Sequence, residues 1–296
     1  DQRYRHALEM REVIEEILVH HPDARPAASS RSPVIREIRR YAKLFWLNSG
    51  PHGSISARKF VLKCAPRDVS EAARIAEAHG ARFPTQAGES LQALLDRLEG
   101  PFFDPDVDPL VTCKTPVEGR DILASSANNL YDGVTMEDLE RFEERHGLNS
   151  RLANVGGALV EEVYRLNGRY GLEIARIVDH LESAVSCATG PMRAALEALI
   201  RFYVSGSDED RVAYDIAWVQ DTGSPVDTIN GFVENYMDAR GVKGAWEALV
   251  FFVNPTKTAS LQRLAEAAPW FEDRMPWDPK WRREVVSGVT ARAIAV

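Results

Sequence analysis

Few of the residues and motifs that announce a chemistry are present in this sequence. Cysteine is scarce: Cys64, Cys113 and Cys187 lie far apart among 296 residues. With no C-x-x-C spacing and no even count, they indicate no disulfide framework and read as reduced thiols of a cytoplasmic protein. Basic residues are in deficit, 36 Lys and Arg against 44 Asp and Glu for a formal charge of -8, so nucleic acid is not an expected partner, because phosphate binding needs clustered cations. No apolar run approaches the roughly 18 residues that span a bilayer, and Asp1-Gln2-Arg3-Tyr4-Arg5 opens no secretory signal, so no membrane partner is expected. Position 1 is not Met. The chain starts inside a predicted helix and looks trimmed.

Catalytic signatures are equally sparse. None of the seven histidines is followed by Glu, so the paired-histidine helix that holds zinc beside a catalytic carboxylate is missing. His6 with Glu9 and His180 near Glu182 come closest, yet each lacks a second His one turn away. His20-His21 reads as a helix end, where imidazolium suits the dipole. There is no G-x-S-x-G elbow, P-loop or G-x-G-x-x-G, and Gly156-Gly157 lies outside any strand-to-helix frame. Internal repeats and low-complexity segments are absent too.

What the sequence does contain is 45% hydrophobic and 27% charged residues, the composition of a globular protein. Leu8, Val13, Ile14 and Ile17 fall at helical spacing and predict a helix over 3–19. Residues 22–33 read as a loop. Further helices are predicted over 34–46, 68–78 and 90–98, with a Pro-broken acidic loop over 101–109. Thr135 is placed to cap a helix running to about His146, with Gly147 as its stop. Ile174, Ile177, Val178, Leu181 and Val185 give the strongest helical period, over 172–187. After Gly190-Pro191 a partner presents Leu196, Leu199, Ile200 and Tyr203, which together predict an antiparallel helical hairpin.

Beyond Ser205-Gly206-Ser207 the period changes toward strands, predicted over 214–220, 228–236 and 246–253, with a helix over 256–268 and a closing strand over 290–296. The fold class is therefore α+β. A mostly helical part, residues 1–205, is followed by an antiparallel strand meander, residues 206–296, with a helical excursion over 256–271.

Within this second part, Ala217-Trp218-Val219-Gln220-Asp221 and Val226-Asp227-Thr228-Ile229-Asn230-Gly231-Phe232-Val233-Glu234-Asn235-Tyr236-Met237-Asp238 resemble the substrate-lobe signature of the dipeptidyl peptidase III family, a zinc metallopeptidase family of M49 type. Gly241-Val242-Lys243-Gly244-Ala245-Trp246-Glu247 continues the match. Ala268-Pro269-Trp270-Phe271-Glu272-Asp273 and Met275-Pro276-Trp277-Asp278-Pro279 are similar to the bacterial branch of that family, and segments 48–60 and 131–138 match more loosely.

The resemblance implies a two-lobed zinc exopeptidase that removes dipeptides from the free amino end of short peptides. One lobe is built around a β-barrel and the other is a helical zinc lobe. Matched residue by residue, it places the carboxylate that receives the peptide's amino terminus on Glu234 and the catalytic tyrosine that meets the reacting carbonyl on Tyr236. It adds Asn230 and Glu247 as substrate-binding residues, although Glu247 reads equally as a solvent-facing strand carboxylate. The two-residue period of a strand agrees, since it sets Phe232, Glu234 and Tyr236 on one face. Trp218, Trp246 and Trp270 read as core or cleft-wall aromatics, with core preferred.

The family's His-Glu-x-x-Gly-His motif and its later Glu-rich helix would fall after Val296, so no metal ligand is assigned and zinc belongs to the complete enzyme. The expected partners are short peptides with a free N-terminus and a zinc lobe carried on the same chain or a separate one. Two readings follow: a piece of a longer zinc dipeptidyl peptidase, or a split or non-catalytic homologue acting as a peptide-binding module.

Overall fold

The computed structural model describes residues 2–24, 32–115, 118–286 and 292–295. They sort into two compact units, residues 1–162 with 234–245, and residues 163–233 with 246–296.

The first unit is built on helices α1 (Ala7–His20), α2 (Pro33–Asn48), α3 (Pro66–Ala78) and α4 (Leu91–Phe103). Met10, Val13, Ile14 and Ile17 of α1 are buried against Ile35, Ile38, Tyr41 and Phe45 of α2 and against Ala72 and Ala73 of α3. The helical spacing read from the sequence is thus the buried stripe itself. Arg97 on α4 ties back to α1 through two bonds to Glu9, both 2.8 Å. Glu9 is thereby spoken for as an ion-pair partner, although His6 lies 3.6 Å away.

Pro101 falls inside α4, which runs five residues beyond its expected end. A proline there removes one backbone donor and frees carbonyls of the preceding turn. The Lys59 ammonium ties down the end of the helix, donating to the carbonyls of Gly100, Asp104 and Val107 at 2.8 Å each. Burial pushes its pKa down to about 8.

A three-stranded sheet completes this unit, in the order β1 (Tyr131–Asp132), β2 (Ser150–Val155), β3 (Ala158–Val163). β1 and β2 run parallel with Tyr131 opposite Leu152. The Gly156-Gly157 pair has a structural role, as the two-residue turn between β2 and β3. Both glycines hold positive φ, +61° and +90°, the conformation that such a turn demands at both central positions. Between β1 and β2, Thr135 caps α5 (Met136–Leu139) in a reciprocal capping box with Asp138. The helix does not continue to His146. Phe142 instead turns onto the cluster of Leu123, Leu130, Tyr131, Val134 and Leu152, and Glu144 is drawn to Arg240 and Lys243.

In the second unit, α6 (Gly171–Val185) and α7 (Gly190–Ser205) pack on each other as expected. Residues 214–220, expected as a strand, instead form the second half of helix α8 (Asp208–Gln220). Tyr214, Ile216 and Trp218 alternate with other residues, but a seven-residue window is too short to separate the two periods. The deciding signal lies upstream. The Ser207 hydroxyl accepts the Asp210 N–H at 3.2 Å, three acids occupy the first turn, and Arg211 bridges Asp208 and Asp215 one turn either way.

The second sheet has the order β4 (Val226–Glu234), β5 (Ala245–Val253), β6 (Ile294–Ala295). β6 is antiparallel to β5, with Phe252 opposite Ala295. This is two strands and a short third rather than the expected meander of three, and the described residues form no closed barrel. Of the closing strand predicted over 290–296, positions 290, 291 and 296 fall outside the described residues. The helical excursion is present as α9 (Pro255–Glu266) and α10 (Ala268–Glu272).

Replacing the α8 cap, Ser207→Ala, should lower stability by about 1 kcal/mol in urea denaturation. No loss would show that α8 does not depend on its capped N-terminus.

Candidate functional site

The residues expected to bind substrate fall on both units. Glu234 and Tyr236 belong to the segment 234–245, which is part of the first unit, while Asn230 and Glu247 belong to the second.

Glu234 is the last residue of β4, and Tyr236 lies past it in a turn. The expected single strand face is therefore corrected. Phe232 is buried against the rings of Tyr164 and Tyr203, with centroids 5.0 and 6.4 Å away, Glu234 is exposed, and Tyr236 is 62% exposed. The strand ends because the following residues curl. Asn235 donates through Nδ2 to the Gly241 carbonyl at 2.6 Å, and the Asp238 N–H donates to the Asn235 carbonyl at 3.1 Å.

This curl is anchored by two fully buried charged residues, Asp238 and Lys243. Asp238 Oδ2 accepts the Tyr131 hydroxyl at 2.9 Å and the backbone N–H groups of Val242 and Lys243 at 2.8 and 2.7 Å. The Lys243 ammonium lies 2.7 Å from Glu144 Oε2 and 3.7 Å from Glu161 Oε1, and donates to the His146 carbonyl and the Ser150 hydroxyl. Arg240 reaches Glu144 Oε1 at 2.5 Å. Burial pushes the Glu144 carboxyl up, but its bonds to Lys243 and Arg240 outweigh that and hold it below the ordinary carboxylate range. Burial and the Asp238 charge push the Tyr131 phenol up.

Neither Glu234 nor Tyr236 is engaged in this network. Both side chains are exposed, Tyr236 with Arg3 as an electrostatic neighbour, so a carboxylate and a phenol two residues apart are accessible to a ligand.

In the second unit, Trp246 Nε1 donates to the Tyr203 hydroxyl at 2.8 Å, which donates to the Asn230 side-chain oxygen at 2.5 Å. With that oxygen occupied, Asn230 has its amide N–H groups left to offer. It borders a cavity of ≈ 330 Å³ walled by Leu181, Met192, Leu196, Val226 and Val250, which suits an apolar side chain. Glu247 is half-buried on β5. The tryptophans are corrected from core residues. Trp218 is half-buried and donates to Asp227 at 2.8 Å, while Trp246 and Trp270 are exposed.

Among the described residues, no group of three or more His, Cys, Asp or Glu is arranged to hold a metal ion. These residues do not fit zinc. Nor is any helix among them long and apolar enough to cross a membrane.

Sequence reasoning missed Tyr131, Glu144, Asp238 and Lys243 as the supports of the site. Their partners lie roughly a hundred positions away, and no local period marks them.

With this geometry in hand, the comparisons are specific. Residues 144–288 match the model of peptidase family M49. The chain is similar to dipeptidyl peptidase 3 of Dictyostelium discoideum, 31% identical over 125 residues that cover 41% of this chain and 18% of that protein. It is also similar to the enzyme of the same name from Rattus norvegicus, 30% identical over 118 residues covering 40% of this chain and 16% of that protein. Among solved structures, DPP III from Caldithrix abyssi superposes with a TM-score of 0.61 at 16% identity, over 96% of this chain and 41% of that one. Dipeptidyl-peptidase III from Corallococcus sp. strain EGB gives 0.50 at 18%, over 93% and 44%. At these identities the structures show a shared fold. The chain spans less than half of either structure, and its matched part less than a fifth of the two curated relatives.

Lys243→Met should destabilise the first unit by about 3–5 kcal/mol, since it leaves a buried carboxylate without its ammonium, and Glu144→Gln in the same chain should recover part of the loss in urea melts. Because the Glu144 pKa is lowered on folding, its contribution is complete above about pH 5 and is lost as pH falls through the folded value. A Lys243→Met chain as stable as the parent would remove the network from its supporting role.

Proposed function

We propose, for a chain that belongs through residues 144–288 to the dipeptidyl peptidase III family, that it is the substrate-binding part of a zinc-dependent exopeptidase releasing dipeptides from the amino ends of short peptides. The observation that carries the proposal is the turn that bears Glu234 and Tyr236. Two exposed polar side chains outside the buried network, the phenol with Arg3 as an electrostatic neighbour, are carried by a backbone fixed by buried charges, at the positions where the family resemblance puts its carboxylate and its tyrosine.

An exopeptidase must recognise a terminal ammonium and count from it to the bond it cleaves. The Glu234 carboxylate accepts charge-assisted hydrogen bonds from that ammonium, which both bind the peptide and fix its register. The Tyr236 hydroxyl donates to the scissile carbonyl oxygen as negative charge develops there, a role worth roughly 3 kcal/mol for donors of this kind. Asn230 supplies amide N–H donors to the peptide backbone, and Glu247 adds a carboxylate on the neighbouring strand.

Zinc, when bound in the complete enzyme, supplies the Lewis acid and the activated water of peptide hydrolysis. The sheet β4–β5–β6 is assigned to a β-barrel lobe that further chain would complete. The three unbridged cysteines are in keeping with a reducing, cytoplasmic location.

Calorimetry with a tetrapeptide, free or N-acetylated, tests the proposal. The free peptide should bind at least about tenfold more tightly, a difference of about 1.4 kcal/mol, and Glu234→Gln should abolish the preference. Equal affinity of the parent chain for both peptides would refute the role of Glu234.

A further inference from the structure

Tyr236 presents a puzzle of placement. Its side chain is 62% exposed and sits in a turn, surroundings in which a phenol ordinarily samples several rotamers. Oxyanion stabilisation requires a donor held before charge develops. Arg3 interacts with the phenol electrostatically, and a directional constraint lies in the backbone, at the next residue.

The Met237 carbonyl accepts two side-chain hydrogen bonds, from Thr112 Oγ1 at 2.7 Å and from Asn128 Nδ2 at 2.9 Å. Asn128 is buried and is itself fixed, since its Nδ2 also donates to the Val111 carbonyl at 2.9 Å and its backbone N–H to the same oxygen at 3.0 Å. One donor satisfies a carbonyl; a second, from a different direction, occupies both lone pairs and sets the orientation of the peptide plane. The N–H of the same peptide, that of Asp238, donates to the Asn235 carbonyl at 3.1 Å, and the Asp238 side chain beyond it is held by Tyr131, Val242 and Lys243, so the peptide that follows Met237 is pinned at both ends.

We infer that Thr112 and Asn128 are positioning residues for Tyr236, acting through the Met237 carbonyl to aim a hydroxyl that they do not touch. This rests on the reading of Tyr236 as the residue that meets the peptide carbonyl. It adds to that reading a pair of side chains more than a hundred positions upstream, outside the segment matched to the family.

The test places 3-fluorotyrosine at position 236 of the full chain and follows its fluorine resonance. A second chain, labelled at position 203, reports on the other unit. Thr112→Val, which keeps the side-chain shape and removes the donor, should broaden or split the 236 line and leave the 203 line unchanged, and Thr112→Ser should restore it. Asn128→Ala should act as Thr112→Val does. An unchanged 236 line in both variants overturns the inference. So does a shift of both probes to unfolded positions, which would mark the pair as general support for the fold.

Peptide affinity gives the functional arm. Thr112→Val and Tyr236→Phe should each leave the affinity for a free tetrapeptide within about twofold of the parent's, because the hydroxyl is used as charge develops and not in the ground state. A larger loss in Thr112→Val than in Tyr236→Phe would mean that Thr112 acts on binding by another route and contradicts the inference. If the parent chain binds no peptide, the proposed function fails, and the fluorine result still decides whether the pair orders Tyr236.

Discussion

Burial of the Lys243 ammonium is the constraint on which the rest of the candidate site depends. A fully buried ammonium is tolerated only where opposite charge and hydrogen-bond acceptors surround it. Glu144, Glu161, Ser150 and the His146 carbonyl meet that demand. In doing so they bind two stretches of the first unit, residues 144–150 and the strand that carries Glu161, to the segment 234–245. Asp238, five residues earlier, performs the complementary task by accepting backbone N–H groups that the curl would otherwise leave unpaired. The charges thus fix one backbone path for a segment with little apolar surface of its own.

This explains why the recognition groups sit where a strand stops. A side chain in mid-strand has its direction set by the pleat and its neighbours, as Phe232 does when it packs against Tyr164 and Tyr203. Glu234 and Tyr236 lie just beyond, where the chain turns into the polar anchor and the side chains are released from the sheet. A loop held by a rigid scaffold is a common setting for binding residues. Here the rigidity comes from hydrogen bonds to Asp238 and Met237 rather than from a ladder.

Much of the helical architecture was legible in the sequence. α1, α2, α3, α6 and α7 follow apolar positions at helical spacing, and the Thr135 cap was read correctly because its hydroxyl and Asp138 are local to each other. Errors arose where local signals competed. The alternation Tyr214, Ile216, Trp218 imitates a strand, while the cap that makes it a helix begins at Ser207. The Gly156-Gly157 turn carries little signal because neither flanking strand, Ser150–Val155 nor Ala158–Val163, alternates apolar with polar residues. Of the candidate site, Glu234, Tyr236, Asn230 and Glu247 came from a family resemblance. The supports at Tyr131, Glu144 and Lys243 left no sequence signal, since a buried ion pair depends on which distant segments the fold brings together.

Amide hydrogen exchange at Val242 and Lys243 tests most directly whether a buried polar anchor fixes the turn that carries Glu234 and Tyr236. Both N–H groups donate to the buried Asp238 carboxylate, so they should exchange only with global opening, as slowly as the amides of α1 in the core of the same unit. Exchange at the rate of an exposed turn, with α1 still protected, would contradict the account.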